Sequence, residues 1–262
     1  MASPIYKVEI FPNYSTGFQF VWGMLPTFND PYPWVFQIEG APTPDGDWEN
    51  ISPQLVNIFS WSSPPLPKVN KSAVWYFRVK LETTVGKYMS QVVQPYGDIT
   101  KREFLIARDI MRREVLHASR LAGTMAKVLL KANWGCKCTY CTDPIDGRTR
   151  NSNCPHCVGT GFEHPYHGPY DMWVLFSADQ QHQMVESPQT GTIEPKNFSV
   201  RALGNPVLKH NDIVIDVRSN KRYYISNSAV IGEIRRIPIT QQLSLSEAAI
   251  TDPIYKLDVN VH

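Results

Sequence analysis

The chain has 262 residues, 42% of them hydrophobic and 19% charged, with 21 prolines, 12 tyrosines, 11 phenylalanines and 7 tryptophans. That length suits two or three domains, and that composition suits short strands joined by proline-rich turns rather than a helical bundle or a disordered polymer. Twenty-six basic residues against 24 acidic ones leave a net charge of +2, too balanced for a protein dedicated to neutralising duplex phosphates.

The opening stretch, MASPIYKVEIFPNY, has no basic region followed by an apolar run, so no signal peptide is expected. No stretch reaches the roughly 18 apolar residues of a membrane helix. Folding in the cytosol is the expectation, and there clustered thiols serve as metal ligands more often than as disulfides. Residues 1–97 read as all-β. GFQFVWG (17–23), YPWVFQIEG (32–40) and VWYFRVKLETTVGKYMSQVV (74–93) are strand-like runs broken by Pro, Asp and Gly. In the last run Trp75, Phe77, Val79 and Leu81 alternate with Tyr76, Arg78 and Lys80, as a sheet with one buried face requires. Gly86 then turns the chain into Tyr88-Met89-Ser90. With Trp22 early, DGDWENIS (45–52) in the middle and YFRVKLETTVGKYMS at the close, the segment resembles a fibronectin type III module. The resemblance implies an immunoglobulin-like β-sandwich.

At Asp98 the period changes. Thr100 and Glu103 have the spacing of a capping box. Phe104, Ala107, Met111, Val115, Ala118, Ala122, Met125 and Leu129 then recur at three- and four-residue steps. The pattern predicts one long amphipathic helix over 98–134, roughly 45 to 50 Å in length, with a bend at Gly123. Between 101 and 131 there are eight basic residues (Lys101, Arg102, Arg108, Arg112, Arg113, Arg120, Lys127 and Lys131) against Glu103, Asp109 and Glu114. Arg148 and Arg150 extend the stripe. Such a face suits nucleic acid, an acidic protein surface or plain solvation.

All five cysteines fall between 136 and 157. Cys138-x-x-Cys141 and Cys154-x-x-Cys157 are separated by twelve residues, 142 to 153. Two such turns bring four thiolates to the corners of a tetrahedron, the geometry of a closed structural zinc site. The expected ligands are therefore Cys138, Cys141, Cys154 and Cys157, with Cys136 left as a free thiol. His156, His164 and His167 are nearby substitutes. Four sulfurs close the coordination shell, whereas a catalytic zinc keeps a position open. No His-x-Glu, His-Glu-x-x-His, P-loop, nucleophile elbow or dinucleotide-binding glycine motif is found, so an enzyme is not expected. Asp143 and Asp146 read as carboxylates that bond within their own loop. The stretch CPHCVGTG also resembles one zinc repeat of the DnaJ chaperones. Only the second pair follows that pattern and the His-Pro-Asp of a J-domain is missing, which sets the chaperone reading aside.

Residues 169–262 return to β. YDMWVLFS (170–177), FSVRAL (198–203), DIVIDV (212–217), RYYIS (222–226), AVIGEIRRIPI (229–239) and QLSLS (242–246) are predicted strands of a small antiparallel barrel or sandwich, with Ser219-Asn220-Lys221 as a tight connection. EAAITDPIYKLDVNVH (247–262) has neither period and reads as an extended arm that orders against something else. The expected domains are thus a sandwich (1–97), a helix (98–134), a zinc-binding loop (135–168) and a C-terminal β-domain with its arm (169–262), a mainly β, multidomain chain.

KREFLIARDIMRREVLHASRLAGTMAKVLLKANWGCKCTYCTDP, NSNCPHCVGTGF, PYDMWVLFS, NDIVIDVRSNKRYYI and IPITQQLSLS, in that order, resemble a group of virion structural proteins of tailed bacteriophages. The likeness runs from about residue 100 to 257. It implies a homo-oligomeric ring at the head-to-tail neck or connector, meeting portal or adaptor proteins and tail-side proteins, with packaged DNA as a further contact. It implies a virion location after assembly in the host cytoplasm, with no membrane and no small-molecule substrate. The baseplate and a zinc-ribbon nucleic-acid-binding role are the alternatives.

Overall fold

The computed structural model describes residues 3–12, 18–25, 27, 28, 30, 31, 33–64, 75–94, 100–133, 137–143, 146, 148–151, 154–176, 197–234, 237–257 and 259. The chain divides into two compact units. One is Met1–Arg108 with Asn133–Cys136, and the other is Asp109–Ala132 with Lys137–His262.

The first unit is built from alternation. Strands β1 (Ile5–Pro12), β2 (Phe18–Met24) and β6 (Ser60–Ser62) form one antiparallel sheet in the order β1-β2-β6. Strands β3 (Val35–Ala41), β4 (Glu49–Asn50), β7 (Tyr76–Glu82) and β8 (Lys87–Met89) form a second in the order β4-β3-β7-β8, with β5 (Leu55–Val56) also on β3. In β7 Phe77, Val79 and Leu81 are fully buried while Tyr76, Arg78, Lys80 and Glu82 stay partly exposed, as the sequence predicts. Their neighbours are Phe20, Trp22, Phe36 and Ile38, in one aromatic core shared by the two sheets. Phe20 meets Phe77 edge-on at 5.1 Å, and Trp22 packs on Phe36 at 5.3 Å. This is an immunoglobulin/fibronectin-like β-sandwich. Thr83 N–H donates to the Gly86 carbonyl at 2.9 Å, closing the β7–β8 turn where Gly86 was expected to turn the chain. Asp30 accepts bonds from Thr83 Oγ1 and Tyr88 Oη at 2.7 and 3.1 Å. Strand β1 was not among the expected strands, although it lies in the segment expected to be all-β.

The capping box forms. Glu103 N–H donates to Thr100 Oγ1 (3.4 Å), and Thr100 N–H donates to Glu103 Oε2 (3.0 Å). It opens helix α1, Lys101–His117, with Ala107 buried and Met111 and Val115 half-buried on the apolar face. The helix does not continue to 134. A single π-turn at Ala118–Ala122 ends it, and β9 (Thr124–Lys131) follows. At 17 residues α1 is only about 25 Å long. The reason is Gly123. Its N–H donates to the Ala118 carbonyl at 2.7 Å, its backbone is already extended, and a Cβ there would lie 2.4 Å from the Ala118 oxygen. Met125 and Leu129, which match a helical period, belong to a strand.

That strand completes a closed, wholly antiparallel barrel. Its other members are β10 (Tyr166–Phe176), β11 (Asn197–Leu203), β12 (Ile213–Asp216), β13 (Arg222–Ile234) and β14 (Ile237–Glu247), in the order β10-β11-β14-β13-β12-β9. Register pairs Val128 with Tyr170, Ala126 with Met172, Val200 with Leu243, Leu245 with Ile225, and Val214 with both Tyr223 and Val128. All of these are buried and fill the barrel. The run AVIGEIRRIPI, expected as one strand, is divided between the end of β13 and the start of β14. The tight connection after β12 is as expected. Asn220 takes a left-handed φ of 54°, and its N–H donates to the Asp216 carbonyl at 2.8 Å.

Residues 248–257 of the expected arm pack on their own barrel, and residues 258 and 260–262 lie outside the described residues. A 3₁₀ turn at Pro253–Lys256, capped by Asp252, buries Ile254 against Leu129, Ile213 and Ile215 on the outer wall of the barrel. Arg222 secures it by donating to the carbonyls of Ile254 and Leu257, the latter at 3.1 Å. The arm orders on its own barrel because β12 presents apolar side chains on both faces, Val214 inward and Ile213 and Ile215 outward. No helix among the described residues is long and apolar enough to cross a membrane.

Candidate metal centre

Strands β9 and β10 are neighbours in the barrel, and the four-cysteine segment is the connection between them. The ladder runs on beyond the barrel rim. Ala132 N–H donates to the Pro165 carbonyl, Lys137 bridges Phe162, and Cys138 N–H donates to the Gly161 carbonyl, the two bonds both at 2.9 Å. The metal segment is thus an elaborated hairpin loop of the barrel. Its expected place, directly after a helix running to 134, is corrected, since α1 ends at His117 and β9 leads into the loop.

Two turns aim the sulfurs. In the first, Thr142 N–H donates to the Cys138 carbonyl (3.1 Å). A short hairpin then returns the chain, with Thr142 bridging Thr149, Asp143 N–H on the Arg148 carbonyl and Arg150 N–H on the Cys141 carbonyl. In the second, Thr160 donates to the Cys157 carbonyl from both its N–H (2.9 Å) and its Oγ1 (2.8 Å). Val158, Gly159 and Gly161 all have positive φ, 49°, 74° and 81°. Those angles let the N–H groups of Gly159 and Gly161 turn back onto the Cys157 sulfur. At Gly161 a Cβ would lie 2.4 Å from Thr149 Oγ1, which would have to turn away, and the φ of 81° is one that a residue with a side chain rarely adopts.

The result is four buried sulfurs whose Sγ atoms lie within 4.8 Å of one another, with Cys141 and Cys157 at 3.3 Å. Among the described residues the group consists of Cys138, Cys141, Cys154 and Cys157 alone, the four residues expected from the spacing. Burial and the three neighbouring sulfurs hold the Cys141 thiol well above the ordinary range. Burial also raises Cys157, against the pull of its backbone donors. Cys154 goes the other way, to about 7, chiefly because the Cys157 N–H donates to its sulfur. Four crowded thiols cannot all ionise without a cation to balance them, and a bound cation would reverse the upward shifts. The group can therefore hold a metal ion.

Cys136 lies outside the described residues. The three histidines are not part of the sulfur group. His156 stacks on Tyr140, ring centroids 3.8 Å apart and planes 10° off parallel, at the exposed tips of the two turns. His164 is exposed. His167 is buried on β10, where desolvation and then His164 push its pKa down to about 4. Asp143 pairs with Arg150, and Asp146 accepts the Arg148 N–H at 3.0 Å, so both carboxylates bond within their loop as expected. The basic stripe is interrupted. Arg102, Arg112, Arg113 and Arg120 are exposed on α1 and its π-turn, whereas Lys127 and Lys131 lie on β9. Asp109 pairs with Arg113 at 2.8 Å, and Glu114 with Arg201 at 3.1 Å.

Two supports of the centre have no sequence signal. Asp212 accepts the Lys131 N–H (2.8 Å) and the Lys209 N–H (2.6 Å), fixing the end of β9 from which the loop departs. Val158, inside the second turn, packs on the apolar cluster that receives the C-terminal segment.

No protein family matches the sequence, and no curated protein matches it. Among solved structures, a chain titled "Titin kinase and its flanking domains" is similar at 9% identity and a TM-score of 0.29, over 94% of this chain and 37% of that one. The chain thus spans well under half the length of that structure. The sandwich and the barrel stand on their own strand order and register.

Proposed function

We propose that the chain is a structural component of a tailed bacteriophage particle, a subunit of a homo-oligomeric ring at the neck or connector, with a zinc ion as a joint and no catalytic role. The observation that supports it most is the closed sulfur group. Four buried thiols that face one another leave a bound ion no open position for a reactant. Soft sulfur ligands in a tetrahedral set suit zinc or iron. A zinc about 2.3 Å from each sulfur needs sulfurs about 3.8 Å apart, a separation that four atoms within 4.8 Å of one another accommodate. The ion would lock the β9–β10 hairpin at the barrel rim, where the loop's own apolar content is small. The resemblance of the motif order, from α1 to β14, to phage virion structural proteins supports the rest of the reading. The portal or adaptor and tail-side proteins are the proposed neighbours.

Elemental analysis of the purified chain is expected to give one zinc per chain, and labelled antibody is expected to mark the neck of intact particles. Structural zinc contributes on the order of 10 kcal/mol to folding in isolated peptides. Cys138→Ser and Cys157→Ser are therefore expected to aggregate or to be absent from assembled particles. Normal assembly of either variant with unchanged thermal stability would refute the joint.

One observation favours a nucleic-acid role as a second reading. The Tyr140–His156 stack at the exposed tips of the two cysteine turns offers a planar surface on which a base of a single strand can stack. Binding to single-stranded DNA that weakens steeply with salt would support it, and salt-independent absence of binding would remove it. Label at the tail tip instead of the neck would move the chain to the baseplate.

A further inference from the structure

The C-terminal segment and the metal loop meet on one patch of barrel wall. Ile254 is fully buried against Leu129, Ile213 and Ile215, with Leu257 and Val259 beside it. Val158 packs on the same cluster. Val158 directly follows the ligand Cys157 and holds a φ of 49°, a conformation that a β-branched residue adopts only when its surroundings impose it. The surroundings here are the second cysteine turn, whose geometry depends on the sulfurs converging. Among the described residues the segment is also tied by Tyr224 Oη to Asp252 Oδ1 at 3.0 Å, by Arg222 to two carbonyls and over the Tyr255 ring at 5.3 Å, and by Arg222 N–H to Tyr255 Oη at 3.2 Å. The link before it is exposed, with Ile250 85% accessible.

We propose that metal binding at the four cysteines docks residues 252–257 onto the barrel through Val158, so that loading the centre and closing the segment are one linked equilibrium. This rests on the reading that the sulfur group holds a metal. With the ion bound, the second turn is fixed and Val158 packs on the apolar cluster that holds Ile254. Without it, the turn relaxes out of its left-handed backbone, that packing is lost, and the segment opens about the 249–251 link to bare Leu129, Ile213 and Ile215. Linkage is reciprocal. Removing the segment must weaken metal binding by the factor by which metal strengthens docking.

The test is hydrogen exchange on the full chain, with zinc content measured on the same samples. Zinc-loaded protein is expected to protect the Ile254, Tyr255 and Leu257 amides, and chelation is expected to speed their exchange about tenfold or more while β11 and β14 stay protected. Val158→Gly, which suits the positive φ but removes the side chain, is expected to keep one zinc per chain and to exchange the segment fast with or without metal. A chain ending at Thr251 is expected to bind zinc about tenfold more weakly in a competitive chelator titration. Unchanged segment protection after verified zinc loss overturns the linkage, as does loss of protection spread evenly over the barrel. Absence of any metal in the starting protein instead overturns the metal reading itself.

Discussion

Asp212 shows how one buried carboxyl holds the base of the metal loop and what that costs. Burial pushes it from the usual 3.8 up to about 6, although the N–H groups of Lys131 and Lys209 pull the other way. A raised folded pKa means that the native state keeps its proton after the unfolded chain has lost it. The contribution is fully present below about pH 3.8 and is lost as pH rises through about 6. His167 has the opposite sign. Its pKa falls from 6.5 to about 4 through burial, so its contribution is present above 6.5 and lost as pH falls toward 4. The two oppose each other across pH 4–6. Asp212→Asn removes one of them, and its stability relative to the parent is expected to rise by about 2 to 3 kcal/mol between pH 4 and 6.5 in urea titrations. A difference that does not change with pH would show that Asp212 is ionised throughout. Gln241 makes a second residue-scale case. Its Nε2 donates to the Leu203 and Pro206 carbonyls at 2.7 and 2.8 Å, and its Oε1 accepts the Leu208 N–H at 3.0 Å, all out of water. Gln241→Leu leaves those groups orphaned and is expected to cost about 2 to 4 kcal/mol in the same assay.

Among the elements, the junction of α1 and β9 turns on a single glycine. Gly123→Ala forces a methyl to 2.4 Å from the Ala118 carbonyl oxygen, against backbone that cannot move aside as a side chain can. A loss of about 2 to 4 kcal/mol is expected, seen as a fall in Tm of several degrees, whereas Arg120→Ala on the exposed part of the π-turn should stay within about 0.5 kcal/mol. The same junction explains what the sequence hides. TMAKVLLK carries Ala126 and Val128 into the barrel and Leu129 outward beneath the C-terminal segment. A strand buried on both sides loses its two-residue alternation, and its apolar residues then fit a helical period equally well. Ile213, Val214 and Ile215 lie in the same situation on β12, yet β-branching marks them as strand. The cysteine turns were legible because their geometry is local: two residues between ligands and glycines just after. The packing of Val158 on the cluster around Ile254 was not, since it joins positions about a hundred residues apart that no local pattern connects.

At the scale of the whole chain, the two units carry separate cores. Every member of the aromatic cluster around Phe20, Trp22, Phe36 and Phe77 lies in the first unit, and the barrel interior, the Ile254 cluster and the four sulfurs all lie in the second. A metal bound by the second can stabilise only what unfolds with it. Two thermal transitions are therefore expected rather than one. The transition of the sandwich should be followed by tryptophan emission, because Trp22, Trp34 and Trp75 are buried there. The transition of the barrel should be followed by far-ultraviolet circular dichroism after the first is subtracted. Chelation is expected to lower the second by on the order of 10 °C or more and to leave the first in place, since a structural ion contributes several kcal/mol to the unit that holds it. If both fell together, the energetic reach of the centre would extend beyond the β9–β10 hairpin into the sandwich, and a joint confined to the barrel rim would be the wrong description of it.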